Sequence, residues 1–146
     1  MRGMRGEKRI LIVDDDDAIR TLLFTVLRRR GLLVDTARNG VEAMERCGNC
    51  RYSVVLLDLM MPLMSGWDVL SRLEKVPLEQ RPFVIVLTAG LEPRNLDPRL
   101  VSGTLRKPFD IEMLVDTVSA CLVTMEVIEQ VEDCPPAESE RGATTN

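Results

Sequence analysis

Four times in this chain an apolar run ends in a residue that could do chemistry. Ile10-Leu11-Ile12-Val13 stops at Asp14-Asp15, and Val54-Val55-Leu56-Leu57 stops at Asp58. Phe83-Val84-Ile85-Val86-Leu87 stops at Thr88, and the weaker run from Ser102 to Arg106 stops at Lys107. Carboxylates gathered in one partly buried place repel one another and stay ionised together only beside a cation. Lys107 supplies one positive charge, and a hard divalent ion would supply the rest. Magnesium suits such a place, because it binds through a few carboxylates, waters and phosphate oxygens rather than in an all-protein cage. The chemistry this points to involves a phosphoryl group. Asp58 is then either a metal ligand only or also the nucleophile that forms an aspartyl phosphate. Such transfer needs mostly positioning and charge neutralisation. Thr88 can donate its hydroxyl to a phosphoryl oxygen, and the small Ala89 and Gly90 leave the approach open. The chain has no histidine, which excludes Ser-His-Asp and Cys-His catalysis and histidine metal sites.

These residues share a site only if the runs that end in them lie side by side. Short, unbroken apolar runs read as strands buried on both faces of a sheet. Helical patterns separate them. Ile19, Leu22, Leu23, Val26 and Leu27 share one helix face. Asp16 or Asp17 can cap that helix, and Arg28-Arg29-Arg30 precede Gly31 at its end. Leu32–Ala37 reads as a strand. Asn39-Gly40-Val41-Glu42 reads as a capping box that opens a helix to about Cys47. Ser65-Gly66-Trp67-Asp68 opens another, with Val69, Leu70 and Leu73 inward and Trp67 half-buried against the Met61 loop. Pro93 and Pro98 allow only a short or broken helix between Leu91 and Val101. Ile111, Leu114, Val115, Val118, Leu122 and Met125 stripe the final and longest helix. The alternation predicts an α/β fold: a doubly wound, five-stranded parallel sheet, flavodoxin-like with strand order 2-1-3-4-5 and helices on both faces. In such a sheet the crevice lies outside the carboxyl ends of the strands, and all the residues above stand there.

At 146 residues and 45% hydrophobic content the chain makes one domain. Residues 1–7 read as a flexible N-terminal extension, 8–132 as the domain, and 133–146 as a disordered tail. A net charge of −4 creates no field for nucleic acid. No apolar run reaches membrane-spanning length and no signal-peptide pattern opens the chain, so a cytoplasmic protein without membrane insertion is expected. Cys47-Gly48-Asn49-Cys50 has metal or redox spacing. With only distant Cys121 and Cys134 besides, a zinc site lacks ligands, and free thiols are expected.

Taken in order, Ile10–Asp15, Leu56-Leu57-Asp58-Leu59-Met60-Met61-Pro62 with Ser65-Gly66, Thr88-Ala89 and Lys107-Pro108-Phe109 resemble a response-regulator receiver domain, the phosphoacceptor of two-component signalling. The resemblance implies that Asp58 receives a phosphoryl group from a histidine kinase or phosphotransfer protein. It implies Mg2+ held by Asp14, Asp15, Asp58 and the Met60 backbone carbonyl. It implies that Lys107 pairs with Asp58 or its phosphate, that the Lys107–Pro108 bond is cis, and that Thr88 moves toward the phosphate. A phosphoacceptor of this kind is not an enzyme, beyond its own phosphorylation and dephosphorylation. Thr104 stands three residues before Lys107, where the family carries an aromatic switch residue, and the segment between Thr88 and Lys107 is short. The expected signal path is therefore the Thr88 loop and the fourth-helix region. The resemblance implies a stand-alone, single-domain receiver that acts by contact with a downstream protein or in a phosphorelay. Its long last helix is a candidate homodimer face.

Two other classes compete. A magnesium-dependent phosphohydrolase of the haloacid-dehalogenase kind needs an acid two residues after the nucleophile, where Met60 stands, and a cap. A pseudo-receiver would keep the fold as an interaction module independent of phosphorylation. Thr104 argues for that class, and the complete set of acids, Thr88 and Lys107 argues against it.

Overall fold

A computed structural model describes residues 8–90 and 95–133. The expected N-terminal extension, residues 134–146 of the expected tail, and residues 91–94 of the proline-bearing segment lie outside them, while Asp133, expected in the tail, is helical. The elements in chain order are β1 (Arg9–Val13), α1 (Asp17–Arg29), β2 (Leu33–Ala37), α2 (Gly40–Asn49), β3 (Val54–Asp58) and α3 (Gly66–Leu73). A short 3-10 turn (Leu78–Gln80), β4 (Phe83–Thr88), β5 (Gly103–Arg106) and α4 (Ile111–Asp133) follow. The five strands form one parallel sheet in the order β2-β1-β3-β4-β5, as the alternation of elements predicts.

Why the strand sequences are unbroken apolar runs follows from what covers them. Successive residues of a strand face opposite sides. In β1 and β3, Leu11, Val13, Val55 and Leu57 turn to one side and pack with Ala43 of α2 and with Val69, Leu70 and Leu73 of α3. Ile10, Ile12, Val54 and Leu56 turn to the other and pack with Leu23 and Leu27 of α1 and with Leu114, Val115 and Val118 of α4. Every residue of β3 is buried. Truncating a leucine in either layer, such as Leu27 or Leu57, costs roughly 2–5 kcal/mol.

The helices start where the sequence signals a cap. Asp16, not Asp17, caps α1, accepting from the Ala18 and Ile19 N–H groups at 2.9 and 3.1 Å. Asn39 accepts from the Glu42 N–H at 2.9 Å. Glu42 does not close the predicted box, however. Its carboxylate accepts from the Arg38 N–H at 2.8 Å and grips the Arg38 guanidinium. The arginine charge draws the acid one residue past the cap. A reciprocal capping box forms instead at α3, between Ser65 and Asp68. Helix α2 runs to Asn49, beyond the expected Cys47.

Between β4 and β5 the described residues include no helix. Among the described residues there, the backbone makes only a turn, in which the Asp97 carbonyl accepts from the Leu100 and Val101 N–H groups, each at 2.9 Å. Pro98 has no N–H to give a helix and biases Asp97 away from helical backbone. Leu100 and Val101 are buried and cover that part of the sheet. Among the described residues no helix is long and apolar enough to cross a membrane.

Candidate functional site

Strand register brings the polar residues together. Val13 pairs with Leu57, so the next residues, Asp14 and Asp58, leave neighbouring strands at one level. Asp58 pairs with Leu87 and Thr88 pairs with Arg106, so Thr88 and Lys107 follow immediately on the far side. Asp14 is fully buried, Asp58 is 5% exposed and Thr88 6% exposed. Asp15 is exposed at the rim. Carboxylate oxygens of Asp14, Asp15 and Asp58 all lie within 4.8 Å of one another. The sequence-derived residues therefore converge on one place.

The two buried acids are held alike. Asp14 Oδ1 accepts from the Asp16 N–H at 2.9 Å, and Asp58 Oδ1 accepts from the Met60 N–H at 3.0 Å. Each acid thus spends one oxygen on its own loop and turns the other to Lys107. The lysine Nζ donates to Asp14 Oδ2 at 2.8 Å and lies 3.6 Å from Asp58 Oδ2. Its hydrogen bond in this structure is to Asp14, while Asp58 stays at ion-pair distance. The Lys107 N–H donates to the Thr88 carbonyl at 2.6 Å, which continues the β4–β5 ladder and sets the lysine beside Thr88. The Lys107–Pro108 bond is cis, as expected. Among the described residues, Thr88 Oγ1 is the buried side-chain polar atom without a hydrogen-bond partner.

Charge and burial act on these groups in opposite senses. Burial pushes the Asp58 carboxyl up to about 6. The Met60 N–H and the lysine charge pull it back, and the Asp14 charge raises it further. Burial would lower the Lys107 ammonium, but the hydrogen bond and charge of Asp14, joined by Asp58, hold it above its ordinary value.

Three further residues, Arg20, Gly40 and Gly66, hold the loops that carry the acids. Arg20 of α1 donates to the Asp14 carbonyl at 2.8 Å and also pairs with Asp17, which pins the β1–α1 loop. Gly66 gives its N–H to the Leu59 carbonyl at 3.0 Å, and a Cβ there would lie 2.3 Å from the Asp58 carbonyl oxygen. Gly40 gives its N–H to the Met64 carbonyl at 3.0 Å, and its Cβ would lie 2.5 Å from that oxygen. Two glycines thus clamp the loop after Asp58. Each follows a helix cap, Asn39 or Ser65, and that placement was the available signal. Within the clamped loop Met60 is 75% exposed and Leu63 holds a left-handed backbone, φ 67°. Trp67 is exposed, at 40%, rather than half-buried against the Met61 loop as expected. Thr104 pairs with Val86 on the adjacent strand and is partly buried.

A parallel sheet in this order, with acids at its carboxyl rim, defines the CheY-like form of the flavodoxin fold. Over residues 10–119 the chain matches the response regulator receiver domain, and it belongs to that family. It is 39% identical over 120 residues to YkoG of Bacillus subtilis, described as an uncharacterized transcriptional regulatory protein; the match covers 77% of this chain and 50% of the relative. It is 40% identical over 116 residues to the transcriptional regulatory protein SrrA of Staphylococcus aureus, covering 77% of this chain and 47% of that one. The chain thus spans about half the length of these curated relatives. Among solved structures it is similar to a CheY-like receiver domain from Methanospirillum hungatei, with TM-score 0.73, 30% identity, 82% of this chain and 97% of that one. It is also similar to the response regulator TrrA of Thermotoga maritima in complex with Mg2+ and BeF, with TM-score 0.69, 35% identity, 78% of this chain and 98% of that one. The described residues are a receiver domain of a two-component response regulator.

Proposed function

We propose that Asp58 is a phosphoacceptor, taking a phosphoryl group from the phosphohistidine of a histidine kinase or phosphotransfer protein. The observation that carries this reading is the convergence of three carboxylates, one lysine and one unpartnered buried hydroxyl on a single rim. Three negative charges face one positive charge, so a divalent cation fits the donor set. Asp14, Asp15 and Asp58 would hold Mg2+, with the Met60 backbone carbonyl assigned by family resemblance. When bound, the ion neutralises charge on the phosphoryl oxygens.

The chain's own residues divide the remaining work. With its carboxyl near 6, Asp58 is mostly ionised at neutral pH and can act as nucleophile. An oxygen of Asp58 forms the new bond to phosphorus as the bond to the donor imidazole nitrogen breaks, and the electron pair leaves on that nitrogen. Lys107 stands between the two acids and can turn from Asp14 to a phosphoryl oxygen. Thr88 has a hydroxyl to donate to another. A shift of Thr88 would reach β5 through the Lys107 N–H bonded to its carbonyl. Thr104 cannot supply an aromatic switch, so the output change is assigned to the Thr88 loop and the segment before β5.

The chain acts as a receiver and not as an enzyme, beyond its self-catalysed phosphorylation and dephosphorylation. Met60 stands where a phosphohydrolase of this chemistry would need its second acid. A downstream protein reads the phosphorylated state by contact. Transcriptional output is the second reading, favoured by the names of the curated relatives. The test is to incubate the protein with acetyl phosphate and Mg2+ and weigh it intact. A phosphate adduct that needs Mg2+ and disappears in Asp58→Asn supports the reading. No adduct would leave a pseudo-receiver, and multiple turnovers on para-nitrophenyl phosphate would indicate a phosphohydrolase.

A further inference from the structure

A second chemically equipped place lies at the opposite end of the sheet. A cavity of about 420 Å3 opens there, beside the residues that lead into β3 and β4, Tyr52 and Pro82. Its volume falls within the range of small-molecule sites, roughly 300–1,000 Å3. Cys47 and Cys50 both line it, with Leu73 and Val76 as apolar wall. Cys47 is in the last turn of α2, and Cys50 caps that helix. The Cys50 N–H still donates to the Arg46 carbonyl at 2.9 Å, so the turn that joins them is helical. Residues three apart on a helix are neighbours on its surface. Both cysteines are partly exposed free thiols.

We infer that Cys47 and Cys50 form a thiol-modification site: a dithiol that closes to a disulfide at the expense of a small organic disulfide entering this cavity. The Cα atoms of bridged cysteines lie roughly 4.4–6.8 Å apart, a span that one helical turn satisfies. Both cysteines line the same cavity, and the backbone at Cys50 is already extended, φ −145° and ψ 146°, so the bridge would form at the end of the helix rather than within it.

The two thiols take different parts. Burial, reinforced by the adjacent Cys50, pushes the Cys47 thiol up to about 11, which makes Cys47 the poorer attacking group. The Cys50 thiolate therefore attacks a sulfur of the organic disulfide, and that S–S bond breaks with its electron pair leaving on one thiolate. Cys47 then gives its proton to solvent, attacks the Cys50 sulfur and expels the second thiolate. The protein loses two electrons and two protons, and one organic disulfide becomes two thiols. Asp58 and Thr88 stand at the other ends of β3 and β4, so this chemistry is read independently of phosphate transfer.

The sequence supplies a direct assay. Arg46 and Arg51 flank the pair, so trypsin releases Cys47–Arg51 as a single peptide. The full chain carrying Cys121→Ser and Cys134→Ser is treated, folded, with glutathione disulfide, then alkylated and digested. The expected peptide is lighter by two hydrogens, unalkylated, and restored by dithiothreitol. In the Cys47→Ser chain glutathione stays on Cys50, and the Cys50→Ser chain reacts at least about tenfold more slowly than Cys47→Ser. If either substitution prevents folding, the peptide from the chain with both cysteines decides alone. A peptide that remains doubly alkylated, or that keeps glutathione while both cysteines are present, overturns the inference.

Discussion

Lys107 Nζ lies 2.8 Å from the Asp14 carboxylate and 3.6 Å from that of Asp58. The lysine therefore rests on the acid that is not the proposed nucleophile, and one oxygen of Asp58 is left facing it at ion-pair distance. The lysine can be drawn to an incoming phosphoryl group without first breaking a bond to Asp58.

Lys107→Met should leave Asp14 and Asp58 buried with their shared charge partner gone. Removing one member of a buried ion pair costs roughly 3–5 kcal/mol, and here the 15% exposure of the lysine side chain places the loss toward the lower figure. Urea unfolding without metal should show it, with part of the loss recovered when Mg2+ is added. Equal stability of variant and wild type would contradict the ion-pair account.

Asp58 gives the apo protein a pH dependence with a defined sign. Its carboxyl is near 6 in the fold against an ordinary 3.8, so the folded chain holds this proton more tightly than the unfolded chain. The stability it contributes is complete below about pH 4 and is lost as pH rises to about 6. Asp58→Asn should remove that slope and make the metal-free protein more stable at pH 7.5, by up to about 3 kcal/mol. Added Mg2+ should then raise the melting temperature of the wild type more than that of the variant. A variant less stable than wild type in metal-free buffer would refute the assignment.

Thr88→Val replaces an unpartnered hydroxyl by a methyl group of like shape. A buried hydroxyl with no hydrogen bond costs roughly 1–3 kcal/mol, so the variant should be as stable as wild type or slightly more so. The phosphate adduct should still form on Asp58. NMR shifts induced by beryllofluoride in the Thr88 loop and β5 should shrink. A stability loss above about 1 kcal/mol would mean the hydroxyl has a partner in solution.

Gly66→Ala and Gly48→Ala form a matched pair. The first sets a Cβ 2.3 Å from the Asp58 carbonyl oxygen and 2.6 Å from Leu59 Cα, whereas the second meets nothing within 4 Å. Gly66→Ala should lose roughly 1–3 kcal/mol and slow adduct formation, because the backbone carrying Asp58 must move. Gly48→Ala, inside α2, should gain roughly 0.5–1 kcal/mol. Thermal melts of both compare the effects directly, and equal melting temperatures would count against the clamp.

The sheet and the membership of the site were legible in the sequence for one reason. A strand buried on both faces cannot carry a polar residue until it ends, so each of Asp14, Asp58 and Thr88 marks both a strand end and a rim position. The alternation with helices makes the strands parallel, and parallel strands put their carboxyl ends on one edge. Local signals also located the helix starts at Asp16, Asn39 and Ser65. What the sequence could not decide were relations between groups distant along the chain. The choice of Lys107 between two acids, the reach of Arg20 to the Asp14 carbonyl, and the fit of Gly66 against Asp58 depend on distances set only when the elements pack. Glu42 left its expected partner for Arg38. Local pattern encodes which face of a strand or helix is buried; a few ångströms between side chains, which decide a hydrogen bond, are set by packing of the whole domain.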